Sequence, residues 1–283
     1  MPDELIQCKW ASDHGIELFV RRFDKLHSCA GGNKLFKLTY WLKDHQKDKP
    51  IISFGGAWSN HLLALAAVGN ELGINTIGII RGESPSALNE RLKKMKSLGM
   101  RLHFISRQEY RQKSAPDFTN KLIKEFGDCL IIPEGGAGEK GVKGASEMVR
   151  YIENYDYIAL PAGTGTTAAG IAMKSISSKT KIIAFQVLKG NGIIENELIR
   201  SSNIHLRDLQ NLSVVDRFHF GGYARSDHQL ERFKAEWEDE TKINMDIVYG
   251  AKALFGLFAL AKEQYFKTNS RVLYIHTGGL SPQ

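Results

Sequence analysis

From residue 50 onward the sequence alternates between short apolar, β-branched runs and longer stretches of helical length, the sign of a parallel sheet joined by helical crossovers. The strand candidates are Ile51 to Phe54, Thr76 to Ile80, Leu102 to Ile105, Leu130 to Ile132, Tyr157 to Leu160, Ile182 to Val187 and Val272 to Ile275. Helical patterns fall between most of them, such as Asn60 to Leu72, Leu88 to Leu98, Phe118 to Phe126, Lys143 to Tyr151 and Thr166 to Ile176. This is a doubly wound α/β layout. No fixed repeat and no Pro- or Ser-rich linker divides it.

Composition narrows the class. With 283 residues, 42% hydrophobic and 24% charged, the chain can bury a real core as one large domain or two smaller ones. The start MPDELIQCKWASDHGIELFV has no basic stretch followed by an apolar run, and nowhere are there the roughly 18 uncharged apolar residues of a membrane helix. A cytoplasmic protein with no membrane partner is expected. Cys8, Cys29 and Cys129 show no CxxC spacing and the histidines no HExxH, so neither a disulfide framework nor a metal is expected. The formal charge of +7 raises the question of nucleic acid. The basic stretch from Arg91 to Lys113 is broken by Glu109, Leu92, Met95 and Leu98, which reads as a solvated amphipathic helix, and a basic cleft for anionic ligands explains the charge equally well.

Gly-rich turns follow several strand candidates, and in open α/β sheets ligands sit at the carboxyl ends of strands. Any single such turn is better read as a plain bend. The segment from Tyr157 to Gly170 runs from a strand through a Gly turn into a helix start, where free N–H groups, the helix dipole and the hydroxyls of Thr164, Thr166 and Thr167 suit a phosphate. Gly163-x-Gly165-x-x-Ala168 also fits a dinucleotide fingerprint, which asks for a carboxylate roughly 20 residues on. Phe185, Gln186 and Val187 stand there, so a nicotinamide cofactor is the weaker reading.

In Gly31-Gly-Asn-Lys-Leu-Phe-Lys-Leu38, Asn33 is the expected N-cap, with Lys34 and Lys37 on one helix face. A lysine in the first turn meets the positive end of the dipole, which favours the neutral, nucleophilic amine that Schiff-base chemistry needs. Two lysines alone are more often solvated charges. Ser59 and Asn60 open the helix after Phe54-Gly-Gly-Ala-Trp, as caps or as ligand contacts. His276-Thr-Gly-Gly279, Tyr223 and Tyr249 complete the candidates.

Taken in order, Gly31-Gly-Asn-Lys34 with Lys37-Leu38, Ser59-Asn60-His61, Gly163-Thr-Gly-Thr-Thr167, Val248-Tyr249 with Lys252, and His276-Thr-Gly-Gly279 resemble the 1-aminocyclopropane-1-carboxylate deaminase and D-cysteine desulfhydrase family of pyridoxal-phosphate enzymes, of the tryptophan synthase β-like fold, fold type II. The resemblance implies two α/β open-sheet domains, a larger cofactor-binding one from residues 1–37 and 150–283 and a smaller one inserted at 38–149, and a homodimer. It makes Lys34 the Schiff-base lysine, Gly163 to Thr167 the phosphate cup and Lys37 a further phosphate contact. Asn60 would bond the cofactor's 3'-oxygen, and Thr277, with Gly278 beside it, would meet the pyridine nitrogen. Ser59 would meet the substrate carboxylate or assist proton transfer, and Tyr223 and Tyr249 form the active-site tyrosine pair.

The implied reaction is elimination and deamination of a small amino acid, with Lys34 as base for the α-proton. Phe36 stands where the family usually has Arg, and Trp58 where it has Gln, so the indole would narrow or fill the site. Gly250 and Thr277 favour the D-cysteine desulfhydrase side over cyclopropane-ring opening. The alternatives are 1-aminocyclopropane-1-carboxylate deamination, a lyase or racemase acting on another small amino acid such as D-serine or cysteate, and a catalytically weak protein that binds pyridoxal phosphate.

Overall fold

A computed structural model describes residues 2–43, 45–46, 48–149, 152–202 and 205–279. In chain order the strands are β1 (Glu4–Ile6), β2 (Ile16–Arg22), β3 (Ile51–Gly55), β4 (Thr76–Arg81), β5 (Arg101–Ile105), β6 (Leu130–Ile132), β7 (Tyr157–Ala162), β8 (Lys181–Gln186), β9 (Leu212–Val215) and β10 (Ser270–His276). The helices are α1 (Lys9–Asp13), α2 (Asn33–Leu42), α3 (Asn60–Leu72), α4 (Glu90–Ser97), α5 (Arg107–Tyr110), α6 (Pro116–Phe126), α7 (Glu139–Ser146), α8 (Thr166–Lys174), α9 (Ile193–Ser202), α10 (His228–Thr241) and α11 (Gly250–Lys262). All seven expected strands are present.

Two sheets form. The larger runs β1-β2-β10-β7-β8-β9 and the smaller β5-β4-β3-β6. Every pairing is parallel except that of β1 with β2. Because side chains alternate along a strand, each inner strand feeds two cores. Tyr157 and Ala159 of β7, Ile183 and Phe185 of β8, and Val272 and Tyr274 of β10 face the layer of α10 and α11. Their neighbours Ile158, Leu160, Ile182, Ala184, Leu273 and Ile275 face α8 and α9. Each such apolar side chain taken from water contributes about 1.5–3 kcal/mol before the entropy of ordering is charged against it.

The smaller sheet is covered in the same way. Ile51, Ile80 and Ile132 pack with α3 and α4. Ile52, Phe54, Ile77 and Ile79 pack with Phe118 and Leu122 of α6. The helix α2 joins the two bodies: Leu38 belongs to the smaller core, while Phe36 meets Phe23 edge-on at 4.8 Å beside the larger one.

Three local expectations are corrected. The stretch from Arg91 to Lys113 is not one helix but α4, β5 and α5, and Arg91 is buried rather than solvated. Gly99, at φ 86°, ends that first helical segment. The helix expected at Lys143 to Tyr151 lies earlier, at Glu139–Ser146, because Gly138 at φ 93° opens it; Tyr151 lies outside the described residues. No described helix is long and apolar enough to cross a membrane, and the described residues hold no cluster of His, Cys, Asp or Glu suited to a metal.

Candidate active site

The helix α2 begins against the loop that follows β10. Gly32, not Asn33, is its N-cap, at φ 101° and ψ −163°. A Cβ on Gly32 would fall 1.9 Å from the carbonyl oxygen of Thr277, so no other residue fits there. Gly32 bridges Gly278, and the Asn33 N–H donates to the same Thr277 carbonyl at 3.2 Å. The Asn33 side chain is thereby released from capping and donates to Thr167 Oγ1 at 2.9 Å.

This start aims Lys34 and Lys37 into a cavity of about 360 Å³. Burial drives the Lys34 ammonium down to about 8, against the opposing pull of the Glu134 carboxylate. Lys37 is pushed further below its ordinary value by burial first and by the charge of Lys34 second, with Glu197 opposing. Two amines are therefore held in the cavity wall where the neutral form of one is accessible near neutral pH.

A second wall comes from the turn after β7. Gly165, at φ 108°, caps α8 without any side-chain bond to the first-turn N–H groups, so those donors remain for a ligand. The turn is tight: a Cβ on Gly165 would sit 3.0 Å from the Ile194 Cα, and one on Gly163 3.2 Å from the Tyr249 ring. The three hydroxyls are not equivalent. Thr166 spends its proton on Glu197 at 2.7 Å, whereas Thr167 accepts from Asn33 and keeps its own proton to donate. Thr164 lies 3.5 Å from Thr166, oxygen to oxygen.

The third wall is the turn after β3. Ser59 is the N-cap of α3 and accepts from the Leu62 N–H at 3.2 Å, which leaves its proton unused by that bond. Asn60 accepts from Arg91 through Oδ1. Its Nδ2 then faces Gly279, where a Cβ would stand 3.2 Å away. Trp58 is 54% exposed, so the indole stands at the rim and does not fill the cavity.

Tyr223 and Tyr249 close the fourth side with ring centroids 6.2 Å apart at 69°. Burial, then Tyr223 and Asp246, push the Tyr249 phenol above its ordinary range, so it stays protonated. Asp246 accepts the N–H groups of Val248, Tyr249 and Gly250 at 2.7–3.0 Å and so fixes the turn that carries Tyr249. Lys252, fully buried, donates to the carbonyls of His219 and Gly222 at 2.9 and 2.6 Å and pins the segment leading to Tyr223.

The residues given a site role from the sequence line this one cavity, namely Lys34, Lys37, Ser59, Asn60, the Gly163 to Thr167 turn, Tyr223, Tyr249, Thr277 and Gly278, whereas Phe36, Val248, Gly250, Lys252 and His276 do not. Glu134, Arg81 and His61 line it too, without having been given a role from the sequence. Arg81 and Glu134 carry no local pattern, and His61 stands in the Ser59-Asn60-His61 motif without a role; only the strand ends that bring the three together reveal them. The donor set suits a compact ligand with an anionic group for the uncapped helix start and an aldehyde for a neutral amine.

Comparison with known proteins agrees with that chemistry. Residues 2–278 match the family described as pyridoxal-phosphate dependent enzyme. A bifunctional D-cysteine desulfhydrase/1-aminocyclopropane-1-carboxylate deaminase of Arabidopsis thaliana is 29% identical, over 94% of this chain and 73% of that protein. A D-cysteine desulfhydrase of Klebsiella pneumoniae is 23% identical, over 95% and 88%. Among solved structures, an ACC deaminase homologue superposes with a TM-score of 0.78 at 24% identity, over 96% of this chain and 87% of the other.

Proposed function

The chain belongs to the pyridoxal-phosphate dependent enzymes, and from that premise we propose that it eliminates and deaminates a small amino acid, D-cysteine foremost. The observation that carries the reading is the pairing, in one cavity, of a lysine whose ammonium is driven down to about 8 with an uncapped helix start lined by threonines.

Pyridoxal phosphate, when bound, supplies an electron sink for the Cα of an amino acid. In this reading Lys34 holds the cofactor covalently through Nζ and, once released by the substrate amine, takes the proton from Cα. The N–H groups of residues 163 to 167, the Thr164 and Thr167 hydroxyls and the Lys37 ammonium hold the phosphate. Thr166 supports them from behind through Glu197. The Asn60 Nδ2 serves the 3'-oxygen and the Thr277 hydroxyl the pyridine nitrogen, with Gly278 leaving room beside it.

Ser59 donates to the substrate carboxylate. Tyr223 and Tyr249 border the leaving group, and burial keeps Tyr249 a phenol. With D-cysteine the Cα–H and Cβ–S bonds break, the sulfur departs with the bonding pair, and hydrolysis yields pyruvate, sulfide and ammonia. Gly250 and Thr277 support the desulfhydrase side, because the family resemblance places Glu and Leu at those two positions in members that open cyclopropane rings.

We further propose the division into a larger domain of residues 1–37 and 150–283 and a smaller one of 38–149, with the cofactor between them, and assembly as a homodimer; the names of the relatives support deamination and desulfhydration without fixing the substrate. The test is the visible absorption band of lysine-bound cofactor in wild type and Lys34→Ala, then addition of D-cysteine. A band lost in the variant, with pyruvate and sulfide formed by wild type, is the expected result. No band in wild type with cofactor added overturns the reading, and a band without product from D-cysteine moves the substrate to 1-aminocyclopropane-1-carboxylate or another small amino acid.

A further inference from the structure

His61 is buried to 2% in the first turn of α3, yet it borders the cavity. Its Nε2 lies 2.8 Å from Ser53 Oγ, and Ser53 Oγ lies 2.8 Å from the Ile132 carbonyl oxygen. The Ile132 oxygen can only accept, so the Ser53 proton must point at it, and the Ser53 oxygen must in turn accept from His61. That relay places the imidazole proton on Nε2 and leaves a lone pair on Nδ1. Burial, then the charges of Lys34 and Lys37, hold the ring neutral.

The Nδ1 atom is buried and has no hydrogen-bond partner among the described residues. A buried acceptor left unmade costs about 1–3 kcal/mol, so the arrangement calls for a donor. The turn Gly135-Gly136 brings Lys37 to the same wall as that lone pair. A Cβ on Gly136 would lie 3.2 Å from Lys37 Cβ and 3.7 Å from His61 Nδ1, and one on Gly135 3.9 Å from Lys37 Nζ. Lys37 and the lone pair thus share one wall of the cavity; the Lys34 charge acts on the ring as well and is itself drawn to Glu134.

We propose that His61 is a positioning residue: its Nδ1, fixed as an acceptor by the Ser53–Ile132 relay, takes a hydrogen bond from the Lys37 ammonium and steers that charge to the phosphate end of the cavity. The inference rests on the reading of Lys37 as a phosphate contact. It gives the two lysines different jobs: once an anionic phosphate offsets the burial that lowers Lys37, that lysine carries the charge, and Lys34 is left to reach its neutral form.

The test combines nitrogen-15 spectra of the His61 ring with titrations of pyridoxal phosphate into wild type and variants. The wild-type ring should show Nε2 protonated and Nδ1 bare, and Ser53→Ala should populate the other tautomer. His61→Leu should weaken cofactor binding about tenfold or more, the scale of a hydrogen bond to a charged group. His61→Asn, which restores an acceptor near the δ position, should recover most of it; His61→Gln, which reaches to the ε position, should not. In a Lys37→Met background the His61→Leu loss should vanish. A proton on Nδ1 in wild type, unchanged binding in His61→Leu, or a full His61→Leu loss without Lys37 each overturns the proposal. If His61→Leu does not fold, the wild-type tautomer and the Asn and Gln variants decide it. Absence of any Lys34-bound cofactor in wild type is a different failure, that of the cofactor reading, and leaves the tautomer measurement standing.

Discussion

The side-chain amide of Asn33 donates to the Thr167 hydroxyl at 2.9 Å and so ties the helix carrying Lys34 to the turn read as the phosphate cup. One neutral hydrogen bond of this kind contributes about 1 kcal/mol, close to a fivefold change in an equilibrium constant. Asn33→Ala is expected to weaken pyridoxal phosphate about fivefold while the absorption band of bound cofactor keeps its position. Equal affinity in the variant, by titration, would show that the bond positions nothing.

Lys34 gives the cofactor-free protein a pH signature. A base whose folded value is lowered to about 8 from an ordinary 10.5 binds fewer protons folded than unfolded within that window. Folded stability therefore rises with pH between about 8 and 10.5, and the penalty is fully present below 8. Denaturant titrations across that range should give a smaller pH slope for Lys34→Met than for wild type. An unchanged slope would place the Lys34 ammonium in a wetter setting than its burial implies.

Gly32 tests the junction of α2 with the loop after β10. At φ 101°, and with the Thr277 oxygen 1.9 Å from any Cβ, Gly32→Ala must displace backbone rather than a flexible side chain. The expected cost is about 3 kcal/mol or more, read as a lower denaturation midpoint together with loss of cofactor binding. Gly73→Ala is the control: its φ of 67° also lies in the left-handed region, with milder strain, nothing lies within 4 Å of its Cβ and it does not line the cavity, so cofactor binding should survive.

Lys252 separates the tyrosine pair from the cofactor cup. Lys252→Met removes the donor for the His219 and Gly222 carbonyls and frees the segment leading to Tyr223. Expected are a stability loss of about 2 kcal/mol and a tenfold or greater fall in kcat, with cofactor affinity nearly unchanged. A parallel loss of cofactor would mean that the segment also supports the cup.

The legible parts of the fold were those with dense local signal. Strands such as Ile182 to Val187 are near-continuous apolar runs because helices cover both faces, and Ser59 and Asn60 mark a helix start by capping chemistry. By contrast β1 has three residues, and β2 ends in Arg21 and Arg22, which look solvated in sequence. They are buried because Asp3 and Asp24 pair with them, a fact of tertiary structure. The expectation of Asn33 as cap failed for a similar reason: its partner, Thr167, is 134 residues away. His61 stood inside a noticed motif, but the tautomer that gives it meaning depends on Ser53 and Ile132, which no spacing rule connects to it.

The place of β10 bears on how the chain comes to be folded at all. It lies between β2 and β7 in the larger sheet, yet it is the last of the ten strands to leave the ribosome. Until then β2 has no partner on that side, and β7 presents an open edge. The smaller sheet draws its strands from residues 51–132 and can close long before. Synthesis thus passes through a stage with one finished body and one incomplete sheet, the stage at which such a chain is most exposed to pairing with a neighbour and to chaperone capture.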